Sequence, residues 1–215
     1  MTDTHDHAHA AGHRHPPQPD HDDTLTYYRK LEMAVRELLI EKGMFTAGDV
    51  RAVVADIESR TPEGGARVVA RAWTDPQFRE LLLNDATAAC AGMGFEMALY
   101  DVKLTVVENT LDVHNLVVCT LCSCYPRMLL GLPPAWYKSR AYRSRAVHEP
   151  RAVLREFGLE LPDKVAVRVH DSTADLRYLV LPMRPQHTDS FATEELAALV
   201  TRDSMIGTAI LRAPD

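Results

Sequence analysis

The sequence predicts an α+β fold, in which a helical N-terminal arm precedes a compact α/β domain. Three observations predict it: apolar residues recur at helical spacing through the first half, the segments after Tyr100 turn short and β-branched, and three of the four cysteines crowd into the stretch Cys119 to Cys124. At 215 residues and 46% hydrophobic, the chain can build one substantial core and carry an extension beside it.

Residues 1–23 hold six of the ten histidines, with Pro16, Pro17 and Pro19 and almost no large apolar side chains. Such a segment buries too little surface to offset its ordering entropy, so a disordered tail is expected, either plainly solvated or able to capture metal ions. Residues 24–98 form the expected arm. Leu31, Val35, Leu38 and Leu39 lie at i, i+4, i+7 and i+8, and Gly43 marks an end. A second helix runs from Ala47 to the stretch "TPEGG", and a third from about Gly64 to Trp73. Asp75 before Pro76 then reads as the N-cap of one further helix that closes at Gly92 or Gly94. The arm's apolar stripe could pack on the chain's own core or on a partner subunit, and an arm with little of its own to fold on is expected to pack on the partner. Within it, Cys90 reads as a small buried apolar residue.

Residues 99–215 form the α/β domain. "VKLTVV" and "NLVVCT" read as strands joined by the turn chemistry of "ENTLDVH"; "PPAWYKSRAYRSRAV" and "EPRAVLREFG" read as short helices. "KVAVRVH" and "LRYLVLP" are expected to pair around "DSTAD", and "TEELAALVTR" forms a last helix before the strand-like "TAIL".

The net charge of -6 sits largely in the tail, where Asp3, Asp6, Asp20, Asp22 and Asp23 face Arg14 alone. The body is close to neutral and has no basic excess for nucleic acid, so the basic, aromatic stretch "WYKSRAYRSR" reads as a surface that faces a partner protein. No run of about 18 apolar residues exists and the N-terminus lacks an apolar leader core, so neither membrane nor export is expected and the cytoplasm is the default.

The cysteine cluster carries the chemistry. A C-x-x-C pair alone serves thioredoxin-like redox sites, zinc sites and iron-sulfur sites. Zinc and iron-sulfur sites want four side-chain ligands, and no second pair follows here; a redox C-x-x-C would open a helix, whereas this one follows a strand. The backbone offers one way to complete the count. With Cys124 bound through sulfur, its own amide nitrogen closes a five-membered chelate ring, the amide of Ser123 closes another, and the sulfur of Cys122 closes a six-membered one. Two amides and two sulfurs then make a square plane, Cys119 reaches an axial position, and the sixth position stays open. That donor set suits a trivalent, low-spin ion, Co(III) or Fe(III), acting as a Lewis acid.

"VCTLCSC" resembles the metal-binding claw of the nitrile hydratase α-subunit family. The match extends through "GLPPAWYK", "AYRSRAV", "EPRAVLREFG", "DSTADLRYLVLP" and "LVTRDSMIG", and covers about residues 29 to 211. The resemblance implies the fold of that α-chain and one Co(III) per chain, with Fe(III) the less expected metal because Thr120 is the residue typical of cobalt enzymes. It implies metal ligands Cys119, Cys122, Ser123 and Cys124, with Cys119 a thiolate, Cys122 a sulfinate, Cys124 a sulfenate and Ser123 bound through its amide. Cys122, Ser123 and Cys124 would then form the catalytic face. It further implies a β-like partner of one or two chains whose arginines hold the oxidised sulfurs, a metallochaperone or activator, and a small-molecule nitrile as substrate, hydrated to the amide.

Two positions depart from the family pattern. Arg127-Met128 stand where many members have Trp-Pro, and His170 stands where many have Trp. Arg127 reads as a charge at the site or a pairing residue at the subunit boundary; His170 and Asp171 adjoin a turn, where aspartate caps backbone groups. The continuation Tyr125-Pro126-Arg127 and the His/Asp-rich tail also resemble the γ-subunit of thiocyanate hydrolase, which is the alternative enzyme. The alternative of another class is a noncatalytic metal-binding or redox subunit.

Overall fold

The computed structural model describes residues 25–95 and 102–213, so the expected tail and the boundary at 98/99 lie outside the described residues. The arm begins with α1 (Tyr27–Glu41) and α2 (Ala47–Ser59). Thr26 caps α1 by accepting from the Arg29 amide, and Thr46 and Asp49 close a reciprocal capping box on α2. Neither helix buries a single residue. Leu31, Val35 and Leu38, the stripe read from the sequence, are 45, 47 and 49% exposed.

α3 (Glu63–Thr74), α4 (Pro76–Asn84) and α5 (Ala86–Ala91) behave differently. Val68, Val69, Leu82 and Ala89 are almost fully buried in the same cluster as the strands, so the helical half divides after Ser59. The single helix expected from Asp75 is two. Asp75 caps the first by accepting from Phe78, as read, but Asp85 ends that helix and caps the next by accepting from Ala88. An aspartate inside an apolar run served as punctuation.

The second half contains β1 (Lys103–Glu108), β2 (Val113–Val118), α6 (Arg127–Leu130), α7 (Ala135–Lys138), α8 (Arg140–His148), α9 (Pro150–Glu156), β3 (Ala166–Asp171), β4 (Leu176–Leu181), α10 (Thr193–Leu199) and α11 (Arg202–Ile206). β3 and β4 do not pair around "DSTAD". β3 runs parallel to β2 with Val118 opposite Asp171, and β4 runs parallel to β1 with Glu108 opposite Leu181. Each late strand therefore returns to an early one, giving two two-stranded ladders. A helix, α6, does follow the cysteine cluster at once. Ser139 splits "PPAWYKSRAYRSRAV" into α7 and α8 by capping Tyr142. "TAIL" forms no strand: the Thr208 amide and hydroxyl close back on the Asp203 carbonyl.

The aromatic residues of "WYKSRAYRSR" face inward. Trp136 meets Tyr142 and Phe157 edge-on with ring centroids 4.9 and 4.8 Å apart, and the exposed residues of that stretch are Arg140 and Ser144. Gly207 closes α11 at φ 91°, where a Cβ would collide with the Asn115 carbonyl on β2. That close approach seats α11 against β2, and β2 delivers Cys119 into the core.

Candidate metal centre

The last β2 residues, Leu116 to Val118, and the Cys119 that follows are at most 1% exposed. From there the chain turns outward through Thr120 and the 84% exposed Leu121, then returns through Cys122, Ser123 and Cys124 to α6. The turn brings the three sulfurs together. Cys119 Sγ lies 3.4 Å from Cys122 Sγ, and Cys122 Sγ lies 3.1 Å from Cys124 Sγ, with all three within 4.8 Å of one another. The Cys122 amide donates to Cys119 Sγ at 3.3 Å.

These spacings test which ion the donors fit. With metal–sulfur bonds of about 2.3 Å, sulfurs at right angles stand roughly 3.3 Å apart, whereas tetrahedral ligands stand roughly 3.8 Å apart. Separations of 3.1 and 3.4 Å match the right-angled case. The three sulfurs could therefore hold a metal ion, and the two separations lie nearer the square or octahedral spacing than the tetrahedral one.

The thiols are not equivalent. Cys122 accepts from Cys124, which holds its thiol below the ordinary value, while burial and the bond it donates push Cys124 up to about 12. The Arg177 charge acts on Cys124 in the opposite sense. Cys90 takes no part: it is fully buried on α5, and burial pushes its thiol up to about 12.

The loop is held from behind by residues distant in sequence. Asp171, at the end of β3, accepts from the Thr120 amide at 2.9 Å and from the Thr120 hydroxyl at 2.6 Å. The turn-capping role read for Asp171 is thus a cap on the cysteine loop. Tyr137, fully buried on α7, donates to the Cys124 carbonyl at 2.8 Å, and Tyr142 donates to the Val117 carbonyl at 2.6 Å. Burial pushes both tyrosines well up, so they stay neutral donors. Nothing in the local sequence signalled Tyr137 or Asp171 as supports, because the contacts span the fold.

His170 is spent on structure. It bonds Asn115 Oδ1 across the β2–β3 ladder at 2.8 Å and packs on Tyr178 with ring centroids 5.0 Å apart, while burial lowers its basicity. Arg127 instead joins the wall of a cavity of about 390 Å³ that opens beside Cys122, Ser123 and Cys124. Arg60 and Arg177 share that wall.

The fold is an α+β chain with a sulfur cluster that could hold a metal, and comparison with known proteins gives its family. The nitrile hydratase alpha-chain family matches residues 26–209. The chain is 49% identical over 199 residues to the high-molecular weight cobalt-containing nitrile hydratase subunit alpha of Rhodococcus rhodochrous, covering 91% of this chain and 97% of that one. It is 44% identical over 190 residues to the thiocyanate hydrolase subunit gamma of Thiobacillus thioparus, covering 84% and 78%. A solved structure of an Fe-type nitrile hydratase double mutant from Comamonas testosteroni Ni1 superposes with a TM-score of 0.81 at 40% identity, covering 87% of this chain and 91% of that one. The chain belongs to the nitrile hydratase alpha-chain family. No helix among the described residues is long and apolar enough to cross a membrane.

Proposed function

We propose that this chain is the metal-binding, catalytic subunit of a cobalt nitrile hydratase, adding water across a C≡N bond to give the amide. The observation that carries the reading is the gathering of three sulfurs within 4.8 Å, with Cys122 Sγ 3.4 and 3.1 Å from its two neighbours, in a chain 49% identical to a cobalt-containing relative. One Co(III) would be held by the sulfurs of Cys119, Cys122 and Cys124 and the amides of Ser123 and Cys124. Cys122 would be carried as sulfinate and Cys124 as sulfenate, held by arginines of a β-type partner.

When bound, the ion supplies Lewis acidity that polarises the nitrile. The chain does the rest. Cys124 presents its sulfenate oxygen at the cavity wall, toward the nitrile carbon or the water that attacks it. By either route one water is consumed: it supplies the oxygen on carbon directly, or it restores the S–O bond broken when the sulfenate oxygen is transferred, and its two protons end on nitrogen. Asp171 and Tyr137 hold the loop so that its donors keep their directions, and the apolar cavity wall limits competing water.

A second reading rests on Arg127. A guanidinium on the cavity wall suits an anion, and the thiocyanate hydrolase γ-subunit is 44% identical. To separate the two, the chain is coexpressed with its β-type partner under cobalt supply and assayed with propionitrile and thiocyanate. Amide formation from propionitrile supports the first reading. Turnover of thiocyanate alone supports the second, and turnover of neither leaves a noncatalytic metal-binding subunit.

A further inference from the structure

The cavity beside the sulfurs is lined unevenly. Ile57, Val102, Met128 and Leu132 make it largely apolar, and three guanidinium groups lie on its wall. Two of these are spent. Arg60 is paired with Asp56, and Arg177 donates to the carbonyls of Thr173, Ala174 and Leu176. Arg127 has no ion-pair or hydrogen-bond partner for its side chain among the described residues, and it is exposed at the start of α6.

One free guanidinium fork on an apolar wall defines a complementary ligand. Such a fork recognises a carboxylate bidentately, and Arg127 alone has it free, since Arg177 keeps its charge but has its donors on carbonyls. The apolar side chains ask for hydrocarbon between that charge and the end that reaches Cys124. A cavity of about 390 Å³ also exceeds what a triatomic ion fills, since a water molecule takes only about 30 Å³ in the liquid. Thiocyanate would engage the charge and leave the apolar wall uncovered. A neutral alkyl nitrile would cover the wall and leave the charge unanswered.

We infer that the site is built for an organic nitrile that carries a carboxylate at the far end of a short hydrocarbon chain, and that Arg127 is the specificity residue that binds this carboxylate. The inference rests on the nitrile hydratase reading and names the substrate class of the same site. Arg127 contacts a part of the substrate that does not react, so it contributes equally to ground state and transition state; its loss raises KM and leaves kcat nearly constant for the anionic substrate.

The test uses the cobalt-loaded complex with its partner and three substrates: 4-cyanobutyrate, valeronitrile and thiocyanate. The expected result is a kcat/KM for 4-cyanobutyrate about 10- to 100-fold above that for valeronitrile, narrowing as salt is raised. In Arg127→Met the ratio of the two falls by about the same factor through KM, and Arg127→Lys recovers part of it because the charge returns without the fork. Calorimetry gives a readout free of turnover: the metal-free complex binds the carboxylate-bearing amide product more tightly than valeramide, and Arg127→Met abolishes the difference. Equal kcat/KM for the two nitriles in the wild type overturns the inference while sustaining the nitrile reading. An anion preference that survives in Arg127→Met overturns Arg127 as its source. Turnover of thiocyanate alone, or of nothing, overturns both readings together.

Discussion

The cysteine loop and the first two helices differ in what stands behind them. Residues 119–124 form no helix or strand, yet Asp171, Tyr137 and Tyr142 bond them or their approach from three other elements. α1 and α2 are regular and well capped, yet they bury nothing and leave Leu31, Val35, Leu38, Val53 and Val54 exposed. Regular structure came from local caps, whereas fixed geometry came from contacts distant in sequence. The loop's shape is thus encoded within this chain, and the arm's apolar face calls for a surface outside it. We propose that this exposed stripe is the face that meets the β-type partner.

The comparison breaks most severely at the sulfurs. Cys122→Ser or Cys124→Ser should lower turnover by at least about 10³-fold and empty the site of cobalt, while the variant melts close to the metal-free wild-type chain, because Cys122 is exposed and Cys124 half-buried. Melting curves beside metal analysis check this, and retained cobalt would contradict it. Next in size is the arm. Leu31→Asp with Val35→Asp should weaken association with the partner by about 100-fold or more, since two apolar anchors contribute about 1.5–3 kcal/mol each when buried. The chain's own melting should hardly move, and sedimentation against partner concentration reads the difference.

Asp171→Ala tests the loop's support. Releasing Thr120 should cost about 10- to 100-fold in cobalt retention against a chelator, the range usual for groups that orient ligands. Tyr137→Phe leaves the Cys124 carbonyl without its donor and should destabilise the chain by about 1–3 kcal/mol in urea unfolding. Asp203 on α11, behind β2, gives the smallest change. Burial raises its carboxyl above the ordinary value of 3.8. Below that value the folded and unfolded chains are both protonated and Asp203→Asn should match wild type. As pH rises through the unfolded and then the folded value, wild type loses stability that the variant keeps. With the side chain 45% exposed, solvent screening should hold the gain under about 1 kcal/mol.

Legibility in the sequence followed the range of the interactions. Gly43 and the start of α2 at Ala47 were readable because caps act within a few residues. So was the cysteine cluster, because its three sulfurs are neighbours in the chain. The break at Asp85 was hidden inside an apolar run that reads as continuous. The pairing of β3 and β4 was misread because "DSTAD" joins them closely, while their hydrogen-bonding partners are β2 and β1 far upstream. α6 and α11 span 4 and 5 residues, too few for a periodic signal. Asp171 reaches Thr120 across 51 residues, so its role as an anchor follows only from the fold.

Cys119, Cys122 and Cys124 are proposed to hold one cobalt with the help of two backbone amides. Elemental mass spectrometry of the complex, purified after coexpression with its partner under cobalt and zinc supply, tests it most directly. The account predicts about one cobalt per copy of this chain and little zinc, as a right-angled sulfur and amide donor set requires. Zinc at that level, or no metal, would contradict it.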